Sequence, residues 1–514
     1  MPEPDKPFQP DDDEDVGAVA AGAGDRAPKA LSGRLGGMPL GRQIFVLAIW
    51  PFLQQLLSWL VSTVDTIVAG YQPTEDAANA IAVGGYINWF MGLMVMGIGA
   101  GGAALIARAV GGGHKRLAHA GLGQALVMGA LVGVLTGVVV IALADLIGKA
   151  AGLEGEALAM ASVYLRLVAA FVPIAAVLFV CVHCLTAAGD TRSPFFVMLV
   201  MNAINLVATV LLAGVELRIN GTAYAIGIGM GVAGIAWGTC IGWTVGALLM
   251  IRMVTKRNSS LRLHLHRLRP HLHTMKRIWR VAYPALLDRG GHWAGNWIVV
   301  MIVGLIGAAS AIGDSVQGAH IIAIRIESIS FLPALAFAAA AGTLTGQYLG
   351  ANDPAMARKA ARHCWLIGAG IMAVLGLVFI TIPEQLVHIY TDKQVFLDNT
   401  PQLVRICGFV QFFFGSALVL QGAMRGAGDT RMPAILSNTL TWFVRLPAAF
   451  ILGVDEYVIG PLVIFDTTLF DQVVLQGFGL GLIGVWYALC GELFLRGVVF
   501  IIRYLRDGWL KVEV

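Results

Sequence analysis

Ala188-Gly189-Asp190-Thr191-Arg192-Ser193-Pro194 returns later in the chain as Ala427-Gly428-Asp429-Thr430-Arg431-Met432-Pro433, an offset of 239 residues (429 − 190). At that offset Tyr164-Leu165-Arg166 meets Leu403-Val404-Arg405, and Gly111 meets Gly350. Upstream of each copy, Ala48-Ile49-Trp50-Pro51 resembles Val281-Ala282-Tyr283-Pro284. Markers in one order at nearly one spacing indicate a chain built from two homologous halves.

Each half is apolar enough to live in a bilayer. Of 514 residues 57% are hydrophobic and only 13% charged, against roughly a quarter charged in a soluble domain. A helix rises about 1.5 Å per residue, so about 20 apolar residues cross the hydrocarbon core. That criterion predicts about twelve spans, centred near Leu56, Gly92, Gly133, Ala175, Ala203, Gly238, Met301, Ala334, Ala373, Gly415, Pro447 and Ala488. Six spans per half is an even number, so both halves keep one orientation, related by an axis along the membrane normal. The fold class is therefore an all-α polytopic membrane protein of two pseudo-symmetric six-helix bundles. Residues 37–254 form the first lobe, 255–277 a basic cytoplasmic linker and 278–514 the second lobe. Residues 1–36, rich in Pro, Asp, Gly and Ala, read as a disordered cytoplasmic tail.

Charge alternates from loop to loop. Lys and Arg follow the second span (Arg108, Lys115, Arg116), the sixth (Lys256 to Arg280), the eighth (Arg358, Lys359, Arg362) and the tenth (Arg425, Arg431). The opposite loops carry acids such as Glu75, Glu154, Glu384, Asp455 and Asp471. The positive-inside rule then places both termini in the cytoplasm, and the expected location is the plasma (inner) membrane. A net charge of +4 thus reflects topology and implies no nucleic-acid partner. The linker's alternation Leu261-Arg262-Leu263-His264-Leu265-His266 suggests a segment lying on the inner leaflet. The six cysteines fall in or beside spans and are expected to be free thiols. Cys181, His183 and Cys184 lack the second cluster that a zinc site needs.

The Gly-Asp-Thr-Arg-x-Pro element of each half resembles the multidrug and toxic compound extrusion (MATE) transporters. So do Val64-Asp65-Thr66-Ile67-Val68-Ala69-Gly70, Gly346-Gln347-Tyr348-Leu349-Gly350-Ala351, Trp442-Phe443-Val444-Arg445-Leu446-Pro447 and Gly484-Val485-Trp486-Tyr487-Ala488-Leu489. The resemblance implies two lobes in a V around a central cavity. It also implies an antiporter exporting small organic, cationic or amphipathic compounds in exchange for protons or Na+, with no bound cofactor and as a monomer. A carboxylate inside a bilayer is costly unless protonated, paired or hydrated, so Asp65, after the uncharged run Ile44 to Val64, is the foremost coupling candidate. By resemblance its neighbours are Asn205 and Thr239, which offer neutral oxygens to a cation or a protonated acid. Thr209 stands where many members carry a second Asp, which favours protons over sodium. Asn202, Asn205 and Thr209 also suit interhelical hydrogen bonding.

The second lobe departs further from the pattern. In a sodium-coupled branch a Glu follows the seventh span's Pro by eight residues; here that position is His292, and Gln411-Phe412-Phe413-Phe414-Gly415-Ser416 holds no acid. Asp288 and His292, four apart on one helix face, can interact directly, with Arg289 joining a polar network. Glu327 is the remaining second-lobe candidate. Arg325, Arg445 and the i, i+4 pair Glu492 and Arg496 read as structural charges. Trp89, Phe90, Met91 and Met94 are expected to line the cavity. Asp190 and Asp429 read as helix caps.

Three alternatives compete with the antiporter. A flippase for a lipid-linked precursor needs a large basic cavity, and the spans show only scattered Arg and Lys. A receptor or scaffold would tolerate loss of Asp65. An enzyme lacks a visible metal-ligand set, phosphate loop or nucleophile constellation.

Overall fold

The computed structural model describes residues 31, 33–70, 75–219, 222–256, 259–310, 313, 315–459, 462–464, 467–470 and 473–512. Residues 1–30, the bulk of the expected disordered tail, lie outside that set. Its last part does not behave as a tail: Gly33–Leu35 forms a helical turn, Leu35 is buried, and Gln43 Nε2 donates to the Leu35 carbonyl at 3.2 Å. The buried Leu35, its satisfied carbonyl and an ion pair from Arg34 to Asp190 hold this segment in place.

Among the described residues, twelve helices are long and apolar enough to cross a membrane, as the sequence predicts. In the first lobe they are α1 (Leu40–Gly70), α2 (Glu75–Gly111), α3 (Lys115–Ala150), α4 (Gly155–Ala187), α5 (Arg192–Ala213) and α6 (Gly231–Thr255). In the second they are α7 (Leu272–Ala309), α8 (Ser315–Gly350), α9 (Pro354–Thr381), α10 (Gln394–Ala427), α11 (Arg431–Gly453) and α12 (Gly481–Leu505). Short β-hairpins not expected from hydropathy sit at equivalent places in the two lobes. Val215–Ile219 pairs with Thr222–Ile226 between α5 and α6, and Glu456–Ile459 pairs with Val473–Gln476 between α11 and α12.

The Gly-Asp-Thr-Arg loops explain the repeat. Asp190 Oδ1 accepts from Ser193 N at 3.1 Å and Asp429 Oδ1 from Met432 N at 3.4 Å, so both cap the next helix. Thr191 donates to the Val46 carbonyl and Thr430 to the Val281 carbonyl, tying each loop to its lobe's first helix. Each buried Asp also holds an arginine: Arg34 at 2.6 Å from Asp190, Arg503 at 2.9 Å from Asp429. The conserved geometry between halves is structural, so substrate need not touch it.

The lobes exchange the starts of their first helices. Ile44, Leu47 and Ala48 of α1 belong to the second lobe's core, with Ala340, Leu344 and Met424. Reciprocally, Ile278 and Ala282 of α7 belong to the first lobe's core, with Leu105, Leu122 and Leu185. At the end bearing the basic loops, α2 and α8 cross with the same reciprocity. A Cβ at Gly111 would collide with the Gln347 carbonyl, and one at Gly350 with the Arg108 carbonyl. Arg108 and Gln347 are themselves repeat equivalents, so the pseudo-two-fold axis passes through this crossing. Gln347 Nε2 donates to the Ala187 carbonyl at 2.8 Å, and Arg108 to the Ala427 carbonyl at 2.7 Å and to the Val512 carbonyl. These bonds close the basic end between the lobes.

The linker rests on protein, contrary to the reading of a segment on the leaflet. Leu261 and Leu263 are buried in the first lobe's core, while Leu265 is exposed. Gln124 near the start of α3 donates to the Arg267 and Arg269 carbonyls and accepts from His271 N. A side chain that satisfies three backbone groups holds a loop better than lipid headgroups can. All six cysteines are free and buried.

Candidate functional site

The first-lobe site is built where α5 and α6 come close. Glycine makes the approach possible: a Cβ at Gly238 would collide with Thr209 Oγ1, and one at Gly242 would lie 2.9 Å from the Asn205 Cβ. Asn205, Thr209 and Thr239 are all buried. Asn205 Nδ2 reaches Thr239 Oγ1 at 3.4 Å, and Thr239 Oγ1 donates to the Ile235 carbonyl at 3.3 Å. Among the described residues, Asn205 Oδ1, Thr209 Oγ1 and Asn202 Nδ2 are buried without a hydrogen-bond partner. Buried polar atoms are normally satisfied, so three on one helix call for an explanation. Asp65 lies in α1, which packs along α5, but its side chain is outside the described residues. The patch offers neutral oxygens to a proton carrier or a small cation.

A second polar network fills the other lobe. On α7 the residues Asp288, His292 and Asn296 recur every four positions and share one face. Asp288 is buried and bonds Arg425 of α10 at 2.5 Å, with Gln421 Nε2 at 3.2 Å. This corrects the expected Asp288–His292 pair: a guanidinium carries a permanent charge and neutralises a buried carboxylate better than an imidazole on its own helix. Glu492 of α12 is fully buried between Arg445 of α11, at 2.5 Å, and Arg496, at 2.7 Å. Arg445 also donates to Asn296 Oδ1 at 2.9 Å, and Arg496 to Thr441 Oγ1 at 2.9 Å. A π-helical turn at Thr441–Arg445 interrupts α11 and carries both Thr441 and Arg445 into the network. Such turns re-aim side chains and cluster at functional sites.

The expectation of scattered basic residues is overturned here. Arg425, Arg445 and Arg496, from α10, α11 and α12, lie within electrostatic reach of His292, and Arg289, one turn away on α7, lies within reach of Arg425. Separations of 136 residues and more between α7 and the others hid the cluster from any reading along the chain. Glu327 of α8 lies beside the Cys407 thiol of α10 and within electrostatic reach of Arg445. It borders the network but makes no ion pair among the described residues.

Aromatic residues of α2 and α7 meet between the lobes. Tyr86 packs on Trp293 and Trp297 with ring centroids 5.1 and 4.8 Å away, and Phe90 lies 4.7 Å from Trp293. Tyr86 Oη donates to the Trp293 carbonyl and Trp293 Nε1 to the Tyr86 carbonyl, a reciprocal clasp. Of the expected cavity residues, Met94 reaches this interface, its Cε 3.6 Å from where a Cβ on Gly290 would sit. Trp89 is half exposed beside Tyr86. Met91 does not line a cavity: with Ile87, Val95 and Ile98 it faces the first lobe's core, because α2 turns that stripe inward. Tyr86, Trp293, Trp297, Asn296 and Gln421 were not singled out from sequence. The i, i+4 aromatic pair Trp293 and Trp297, one position beyond the polar stripe, was the available signal.

The family model described as MatE matches residues 52–211 and again 292–451, once in each lobe and over more than half of the chain. Among curated relatives, the probable multidrug resistance protein NorM of Thermotoga maritima is 25% identical over 92% of this chain and 94% of its own length. The uncharacterized transporter YisQ of Bacillus subtilis is 22% identical over 90% and 94%. Among solved structures, a MATE in the straight conformation superposes with a TM-score of 0.75 at 21% identity, covering 92% of this chain and 97% of that one. A MOP superfamily transporter from Pyrococcus furiosus gives 0.76 at 19%, covering 93% and 98%.

Proposed function

The chain belongs to the MatE family, and from that premise we propose that it is a secondary active antiporter, exporting small organic, amphipathic compounds in exchange for protons. The carrying observation is the cluster of buried, partnerless polar atoms Asn205 Oδ1, Thr209 Oγ1 and Asn202 Nδ2, on a helix packed against the one that bears Asp65. A protonated Asp65 supplies one donor to such oxygens, and deprotonation removes it, which links carboxyl titration to α1 packing. The patch's two neutral oxygens and single carboxylate make a weaker sodium site than a pair of acids, which supports the proton. No cofactor enters this cycle, and the chain works as a monomer with both termini cytoplasmic in the plasma membrane.

Reconstitution in liposomes tests the reading: an imposed proton gradient should drive efflux of an amphipathic dye, and an equal sodium gradient should not. Dye movement indifferent to both gradients would sink it. The second-lobe arginines favour one further reading, a flippase for a lipid-linked precursor, over what the sequence suggested. That reading predicts that translocation of a pyrophosphate-linked lipid, and not of a soluble dye, responds to the protein.

A further inference from the structure

Arg289 is the odd charge of the second lobe. Arg425 has Asp288, and Arg445 and Arg496 share Glu492, but among the described residues Arg289 makes no ion pair and its Nε is buried without a hydrogen-bond partner. One turn along α7, His292 Nδ1 is also buried without a partner, with Arg425, Arg445 and Arg496 within electrostatic reach. Across the lobe boundary His183 of α4 lies within reach of Arg289, and Gly290 faces Met94. The adjacent carboxylate, Asp288, is already held by Arg425 and Gln421. A guanidinium in a membrane interior requires a counter-charge or water. Among the described residues Asp288 is the only acid that acts on Arg289, and that carboxylate accepts its hydrogen bonds from Arg425 and Gln421.

We propose that this position, between Arg289 and His292 on one lobe and His183 on the other, binds the anionic group of an amphipathic organic substrate. Its aromatic or acyl body lies against Tyr86, Trp293 and Trp297, one to two turns farther along α7, where the ring faces of the two lobes already meet. Guanidinium and imidazole N–H donors suit a carboxylate, sulfonate or phosphate monoester. The sign of charge is opposite to the cationic cargo that family resemblance implies. An anion at this place touches both lobes, so its binding and release sense their separation. The inference rests on the transporter reading and adds to it the charge class of the cargo.

Two probes with one fluorophore and opposite charge test it: dansylglycine, a carboxylate, and its choline ester, a quaternary cation. Each is titrated against the full chain in nanodiscs of phosphatidylcholine, where no gradient acts. The expected result is that dansylglycine binds at least about tenfold tighter than the ester, that Arg289→Gln removes this preference, and that Arg289→Lys restores most of it. Equal binding of the two probes, a preference for the ester, or an unchanged preference in Arg289→Gln would overturn it. Should Arg289→Gln fail to fold, the wild-type preference and its competition by unlabelled naphthalene sulfonate decide the matter. Anion preference without gradient-driven transport in liposomes would remove the antiporter reading alone. Gradient-driven transport without anion preference would remove this inference alone.

Discussion

Glu492 shows how little room the second lobe leaves for error at a single residue. Its two oxygens are divided between Arg445 and Arg496, and no part of it meets solvent. Glu492→Gln leaves two buried guanidinium groups facing a neutral amide, and removing one partner of a buried pair costs roughly 3–5 kcal/mol. Chemical unfolding in detergent should show a loss of that size, whereas Glu384→Gln, whose exposed pair with Arg405 sits at the surface, should cost under about 1 kcal/mol. The sequence made half of this network legible. Glu492 and Arg496 stand four apart, so helix geometry alone pairs them. Arg445 and Arg425 were not legible as partners, because their contacts depend on how α10, α11 and α12 are rotated about their axes. The same limit misassigned Asp288 to His292 and Met91 to the cavity.

At the scale of elements, α3 carries a ridge of small residues that hydropathy passes over. Gly129, Gly133 and Gly137 recur every four positions and face α4, where a Cβ at Gly133 would lie 2.9 Å from Pro173 Cα. The opposite face bears Leu131, Leu135 and Val138, all strongly exposed and suited to lipid. Close helix contact through small residues is how membrane helices gain packing where burial from water gives nothing. Gly133→Leu should therefore destabilise by about 1–3 kcal/mol or prevent assembly, since an overpacked contact against backbone cannot relax. Leu135→Ala on the lipid face should stay within about 0.5 kcal/mol, measured by the same unfolding experiment. Twelve helices and their order were readable because length and hydropathy are properties of a segment by itself. The π turn at Thr441–Arg445 and the hairpins after α5 and α11 were not. The first is a local change of helical pitch that no single residue type announces, and the second leave no trace in a hydropathy profile.

For the whole molecule, the two-fold repeat read from Asp190 and Asp429 is realised as exchanged helix starts and a reciprocal crossing of α2 and α8. On the antiporter reading, alternating access requires that crossing to open, because its bonds close the basic end. Gly111→Leu, which drives a side chain into the Gln347 carbonyl across this crossing, should keep that end from closing and cut dye efflux well below wild type. Undiminished efflux by this variant, with folding retained, would mean that this end need not close. The symmetry also has a limit that bears on function: one lobe carries neutral, partnerless oxygens and the other a crowd of arginines. We therefore assign coupling to the first lobe and cargo charge to the second. The most direct test is proton-gradient-driven efflux from liposomes containing Asp65→Asn beside wild type, with equal thermal stability verified for both. The account predicts that Asp65→Asn falls to the level of protein-free liposomes. Undiminished gradient-driven efflux by that variant would contradict it.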